Sequence, residues 1–341
     1  MEVQDQMDNT EPIDSLKAYN LEELSEINLP SKLSYHSNEI QVEEGKEPYE
    51  QNIKNLTEIA SVLNSKMEGE EYAFTGSMSM YALWYDLMSR NKGVDIRRVL
   101  NQRVKGGKND FDIAIREERK LAVMENKLGF DEDALSKQRG VVGNHMVDIQ
   151  VRPRIMDFPY KEVNLGEEKV LVQNPIEGIF ERMSALAYPQ VGSDGKENPK
   201  EIKWGVDIKL LKLYVMLSEN LTEEQLEQKL ETLWIKYQEG RRYEYAEYLS
   251  LQVKGGKNPS ELLLPSISKL LNKDIPIEGL ELSIREEFPN IPEEIVSNLL
   301  NTNDGDVFLI NMKMIIDSIT PEPDRYQEMS RKANDNYSML I

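Results

Sequence analysis

The chain has 341 residues, of which 39% are hydrophobic and 30% charged, enough for a core spread over about two domains. Its net charge of −20, of which −10 lies beyond the first fifty residues, argues against a broad, sequence-independent nucleic-acid surface and leaves room for a local basic pocket. With no cysteine and only His36 and His145, disulfides, thiolate zinc sites, cysteine nucleophiles and multi-histidine metal centres are excluded, so a bound metal must rest on carboxylates, which suits Mg²⁺ or Mn²⁺.

Residues 1–48 read as an acidic, largely flexible arm. The first fifty residues hold 13 acidic side chains against 3 lysines, half of the whole imbalance, with one short helix expected at 19–27. The opening Met1-Glu2-Val3-Gln4-Asp5 has neither the basic nor the apolar part of a secretory signal, and no apolar run approaches the roughly 20 residues that span a bilayer. The expectation is therefore a cytoplasmic protein with no membrane partner.

From Tyr49 the pattern changes. Ile53, Leu56, Ile59, Ala60 and Leu63 recur at helical spacing, so 49–65 is an amphipathic helix. Tyr72-Ala73-Phe74-Thr75 is a short strand broken by Gly76-Ser77. Met80, Tyr81, Leu83, Trp84, Leu87 and Met88 then form an apolar helix. A basic, glycine-punctuated stretch follows from Arg97 to Lys108. Residues 109–115, Asn-Asp-Phe-Asp-Ile-Ala-Ile, alternate as a strand does. Residues 117–128 read as a helix, 145–151 as a strand carrying Asp148, and 169–172 as another strand.

After Asn174-Pro175 the 3.6-residue period takes over, with helices expected at 176–187, 201–218, 222–238, 241–251, 260–271, 292–300 and 306–319. Strands first and helices after predict an α/β domain over 49–173, a helical domain over 174–320 and a loose tail over 321–341. The hexapeptide Val-Lys-Gly-Gly-Lys-Asn occurs at 104–109 and again at 253–258. It reads either as a shared turn or as two phosphate- or RNA-contacting loops. The basic and aromatic run Arg241-Arg242-Tyr243-Glu244-Tyr245 reads as a charged helix face or an RNA-stacking surface.

Three carboxylates carry the chemistry. Asp110 and Asp112 stand at i and i+2 of one strand and so share a face, while Phe111 and Ile113 share the other. Carboxylates crowded on one face repel unless a hard cation lies between them. Asp148, on a later strand, completes a triad. Gly76-Ser77 opens a helix, where close backbone approach and free N–H groups can hold a phosphate.

This order of Gly-Ser, Asp-x-Asp and a third Asp resembles the nucleotidyltransferase superfamily. Leu128-Gly129-Phe130, the run Pro175-Ile176-Glu177-Gly178-Ile179-Phe180-Glu181-Arg182-Met183-Ser184-Ala185-Leu186, and Val206-Asp207-Ile208-Lys209-Leu210 resemble AbiEii-type abortive-infection toxins over residues 50–220. The resemblance implies an α+β fold, with a nucleotidyltransferase-like mixed sheet and flanking helices ahead of an all-helical part. It implies Mg²⁺ (or Mn²⁺) on Asp110, Asp112 and Asp148, which would form the catalytic set. Gly76 and Ser77 would hold the nucleotide's phosphates, with Arg182 facing them and Asp207 matching a motif acid. It further implies an NTP substrate, an RNA or protein acceptor and an antitoxin partner. The chain departs from the family in the gap of more than thirty residues between Ser77 and Asp110 and in having Val206 before Asp207 where a basic residue is usual. Two other readings stay open: an inactive, binding-only relative, and a metal-dependent nuclease built on Asp112 with Glu125-Asn126-Lys127.

Overall fold

Alternating apolar residues at period two and apolar stripes at period 3.6 interleave in the first half of the chain, and they fold into a mixed sheet with helices against it. In the computed structural model the described residues are 47–67, 71–105, 111–115, 137–151, 158–187, 200–271, 273–319 and 325–340. Asp110, the expected helices at 19–27 and 117–128, and Glu125-Asn126-Lys127 lie outside them. The fold is α+β, with a six-stranded mixed sheet, flanking helices and a helical C-terminal region.

Helix α1 (Pro48–Lys66) opens with proline at its first position, where the missing N–H costs nothing, and buries Ile53, Leu56, Ile59, Ala60 and Leu63. Strand β1 (Tyr72–Phe74) leads into α2 (Gly76–Arg90), which is buried almost all round from Met78 to Trp84. Helix α3 (Arg97–Lys105) precedes β2 (Phe111–Ile115). Two hairpins complete the sheet: β3 (Lys137–Val142) with β4 (His145–Val151), and β5 (Lys161–Leu165) with β6 (Glu168–Val172). The strand order is β3-β4-β2-β1-β6-β5. Strands β2 and β4 run parallel, as do β1 and β6, whereas β1 and β2 are antiparallel.

Beyond the sheet lie α4 (Pro175–Ala187), α5 (Lys200–Glu219) and α6 (Glu223–Lys254). Helix α6 runs unbroken through Glu239-Gly240, where the sequence reading has two helices. The chain then forms α7 (Pro259–Leu271), α8 (Leu280–Glu287), α9 (Glu293–Asn301), α10 (Gly305–Ser318) and α11 (Arg325–Leu340).

Two expected boundaries are corrected. The chain divides into one compact unit containing the sheet, 158–232 and 324–341, and a second containing 233–323. Helices α4 and α5 thus belong to the unit that contains the sheet, because they pack on each other, on α2 and on α11 rather than in a separate helical core. The tail expected to be loose is largely a helix: Tyr326, Met329, Ala333 and Tyr337 recur at helical spacing and are all buried.

Helix α11 also approaches α5 closely. A Cβ at Gly205 would lie 2.1 Å from Cδ2 of Tyr337. Gly205→Ala therefore forces the helices apart, a cost of about 1–3 kcal/mol against the roughly 1 kcal/mol that alanine contributes in helix propensity. Urea unfolding should show a net loss that Tyr337→Ala relieves in the double variant; a Gly205→Ala protein more stable than wild type would mean that α11 does not pack there.

The second unit has its own core, in which Ala246, Leu263, Leu280, Ile284, Val296, Leu299 and Phe308 are excluded from solvent. The second copy of the repeated hexapeptide stops one of its helices and starts the next. Gly256, at φ +87°, ends α6 as its N–H donates to the Val253 carbonyl, and the Lys257 N–H donates to that of Gln252. Asn258 Oδ1 then accepts from the Ser260 N–H at 2.9 Å and caps α7. At 253–258 each of these residues thus serves a helix boundary. In the first copy Val104 and Lys105 lie in helix α3, and Gly106 to Asn109 lie outside the described residues.

Candidate functional site

Asp112 and Asp148 are direct cross-strand partners in the parallel β2–β4 pair. Being in register, they project from the same face, with backbones about 4.8 Å apart as adjacent strands require. Asp148 is 4% exposed, while Asp112 is half-buried. Gly76 completes the corner: it opens α2 at φ +61°, and a Cβ built on it would stand 3.0 Å from Asp112 Oδ2. The Thr75 N–H donates to the Asp112 carbonyl at 2.9 Å, fastening the β1–α2 turn to β2. Both requirements select glycine here, the left-handed backbone and the space taken by the carboxylate. Gly76→Ala should cost about 1–2 kcal/mol in urea unfolding from backbone strain alone, and an unchanged midpoint would count against this geometry.

Behind the turn lies a buried ionic network that joins three of the expected nucleotide-binding residues. Arg103 Nε donates to Asp207 Oδ1 at 2.6 Å, and Nη2 donates to Oδ2 at 2.8 Å. Nη2 also donates to Ser77 Oγ at 2.8 Å, and Nη1 to the Tyr81 hydroxyl at 3.0 Å. From the other side Arg182 Nε donates to Asp207 Oδ2 at 3.1 Å, while its Nη1 donates to the Gly178 carbonyl. The side chains of Arg103 and Asp207 are each 1% exposed. Arg182 is buried as well, held by Asp207 and Gly178.

Burial alone would raise the Asp207 pKa, but the charge and hydrogen bonds of Arg103, followed by the charge of Arg182, hold it below the usual carboxylate range. Burial likewise works against the Arg103 charge, and Asp207 more than compensates, so its pKa is raised. Burial pushes the Tyr81 hydroxyl up to about 12, with Arg103 pulling it back.

Arg103 is the member that sequence reading missed. Ile96, Val99 and Leu100 fall on one helical stripe and are buried, and Arg103 follows on the same stripe. A charge on an apolar stripe demands a buried partner, and that was the available signal.

The structure therefore brings together Gly76, Asp112 and Asp148 on one side, and Ser77, Arg182 and Asp207 through Arg103 on the other. Asp110 lies outside the described residues. His145 is not part of the constellation: its Nε2 lies 3.1 Å from Glu58 Oε2, and its ring packs on Phe111. Trp84 and Trp234 are buried, and Trp204 is half-buried. In the run at 241–245, Arg241 pairs with Glu244, Tyr243 bonds Asp317 and Tyr245 bonds Ser266. A separate concavity of about 580 Å³ lies where α1 meets the C-terminal end of α2, with Tyr49, Ile53, Tyr85, Met88, Val94 and Arg97 in its lining.

No family model, curated protein or solved structure matches this chain to a significant degree.

Proposed function

We propose that the chain is a Mg²⁺-dependent nucleotidyltransferase that moves a nucleoside monophosphate from an NTP to a hydroxyl of an RNA or protein acceptor. The observation that supports this reading best is the registration of Asp112 beside Asp148, with the glycine-opened N-terminus of α2 against Asp112.

The donor set fits a hard divalent cation: paired carboxylate oxygens on adjacent strands, in a chain without thiols. Asp112 and Asp148 would hold it, joined by Asp110 on the strength of its sequence position. When bound, such an ion neutralises charge on the phosphates and lowers the pKa of the attacking hydroxyl. The chain's own residues do the rest. Backbone N–H groups at the start of α2 and the Ser77 hydroxyl receive phosphate oxygens. Asp148 takes the proton of the acceptor hydroxyl, whose oxygen forms a bond to the α-phosphorus as the bond to the bridging oxygen breaks and pyrophosphate leaves. An antitoxin partner belongs to this proposal through the toxin resemblance alone, and a cytoplasmic setting is part of the same proposal.

The test is to incubate the purified protein with each α-labelled NTP, Mg²⁺ and a bacterial lysate. Label appearing in RNA or protein would identify the acceptor class. The burial of Arg182 and Asp207 in an ion pair favours a second reading, a nucleotide-binding relative without turnover. Saturable NTP binding with no pyrophosphate released would select it. A protein that neither binds nor transfers any NTP would overturn both readings.

A further inference from the structure

We infer that Arg103 is a positioning residue that makes the Ser77 hydroxyl a committed hydrogen-bond donor to a phosphate oxygen of the ligand; this rests on the nucleotide-binding reading above. A serine hydroxyl has one proton to donate and two lone pairs that accept, and in isolation it turns to suit either partner. Here Arg103 Nη2 occupies the acceptor side at 2.8 Å. Guanidinium is a donor without acceptor capacity, so the Ser77 proton must turn away from it. Among the described residues no acceptor takes that proton. Accepting a charge-assisted bond also polarises the O–H and strengthens its donation. Phosphate oxygens accept and do not donate, so they need a partner set in this sense.

The fork cannot swing out to meet the ligand itself. Nε and Nη2 grip both oxygens of Asp207, Nη1 is bonded to Tyr81, and Asp207 is held from behind by Arg182. With a side chain 1% exposed, Arg103 works through Ser77, which is half-buried and reaches the surface of the turn. Lysine keeps the charge but lacks the fork, so it cannot grip both Asp207 oxygens and orient Ser77 together.

Titration calorimetry in Mg²⁺ with inorganic tripolyphosphate and with each NTP, on the wild type, Ser77→Ala, Ser77→Thr, Arg103→Lys and the Ser77→Ala/Arg103→Lys double variant, tests this. Ser77→Ala and Arg103→Lys should each weaken binding about tenfold, the scale of one hydrogen bond to a charged group. The double variant should be no weaker than the weaker single one, and Ser77→Thr should stay within about twofold of wild type because it keeps the hydroxyl. Losses that multiply in the double variant, or an Arg103→Lys protein that binds as wild type does, would overturn the inference and leave the nucleotide reading intact. Should Arg103→Lys not fold, the Ser77 pair decides: equal binding by Ser77→Ala and wild type overturns it. Coupled loss of tripolyphosphate binding without any nucleotide transfer would support the inference and sink the transferase. A wild type that binds neither probe would overturn both.

Discussion

Asp112→Asn and Asp148→Asn should each reduce nucleotidyl transfer at least about a hundredfold, since the charge stabilisation supplied by a metal on these carboxylates amounts to several kcal/mol. Neither change should unfold the protein. Asn keeps the size and strand-face position of Asp, so the β2–β4 register is preserved. Melting without metal should therefore stay within about 1 kcal/mol of the wild type. With Mg²⁺ and NTP at 100 times the Kd, the wild type should gain about 2.7 kcal/mol of stability, and the variants far less. Full activity in Asp112→Asn, with the fold intact, would remove this carboxylate pair from the chemistry.

Asp207→Ala is expected to produce the largest loss of stability, about 3–5 kcal/mol, because it leaves the Arg103 and Arg182 guanidiniums buried without their carboxylate. Urea unfolding read by tryptophan fluorescence measures this, with Trp84 in the same compact unit as reporter. A loss under about 1 kcal/mol would mean that the network opens to water. The pH dependence follows from the direction of the Asp207 shift. Its folded pKa lies below the unfolded value of about 3.9, so the stability it contributes is complete above that value and is lost as the pH falls through the folded pKa. The difference in stability between wild type and Asp207→Asn should be constant above about pH 5 and shrink progressively below pH 4. A constant difference down to pH 2 would contradict the ion pair.

Much of the first unit was legible because its periods are clean. The stripe of α1, the apolar run of α2 and the alternation of Phe111-Asp112-Ile113 each admit one secondary structure. Other elements were not legible, for identifiable reasons. Strand β3, Lys137–Val142, opens with Lys-Gln-Arg-Gly and shows no alternation until its end. Strand β5 is five residues long, and its buried Val163 and Leu165 are too few to set a period. At the start of α3 the arginines obscured the helical spacing of buried Ile96, Val99 and Leu100. The expectation of a loose tail weighed overall polarity above spacing, although four buried side chains of α11 sit at i, i+3, i+7 and i+11.

The sequence by itself determined that any metal must sit on oxygen ligands, that Asp112 lies on a strand face opposite Phe111 and Ile113, and that a glycine opens the helix after the first strand. These are local properties, set by residue chemistry and by the two backbone periods. Only the tertiary structure decided that Asp148 is the register partner of Asp112, that Gly76 meets the Asp112 carboxylate, and that Ser77, Arg182 and Asp207 are joined through Arg103. Strand pairing over 36 residues and an ion pair over 104 residues are long-range choices. They depend on which faces the whole chain can bury together, and on the need of a buried charge for a partner that no neighbouring residue supplies.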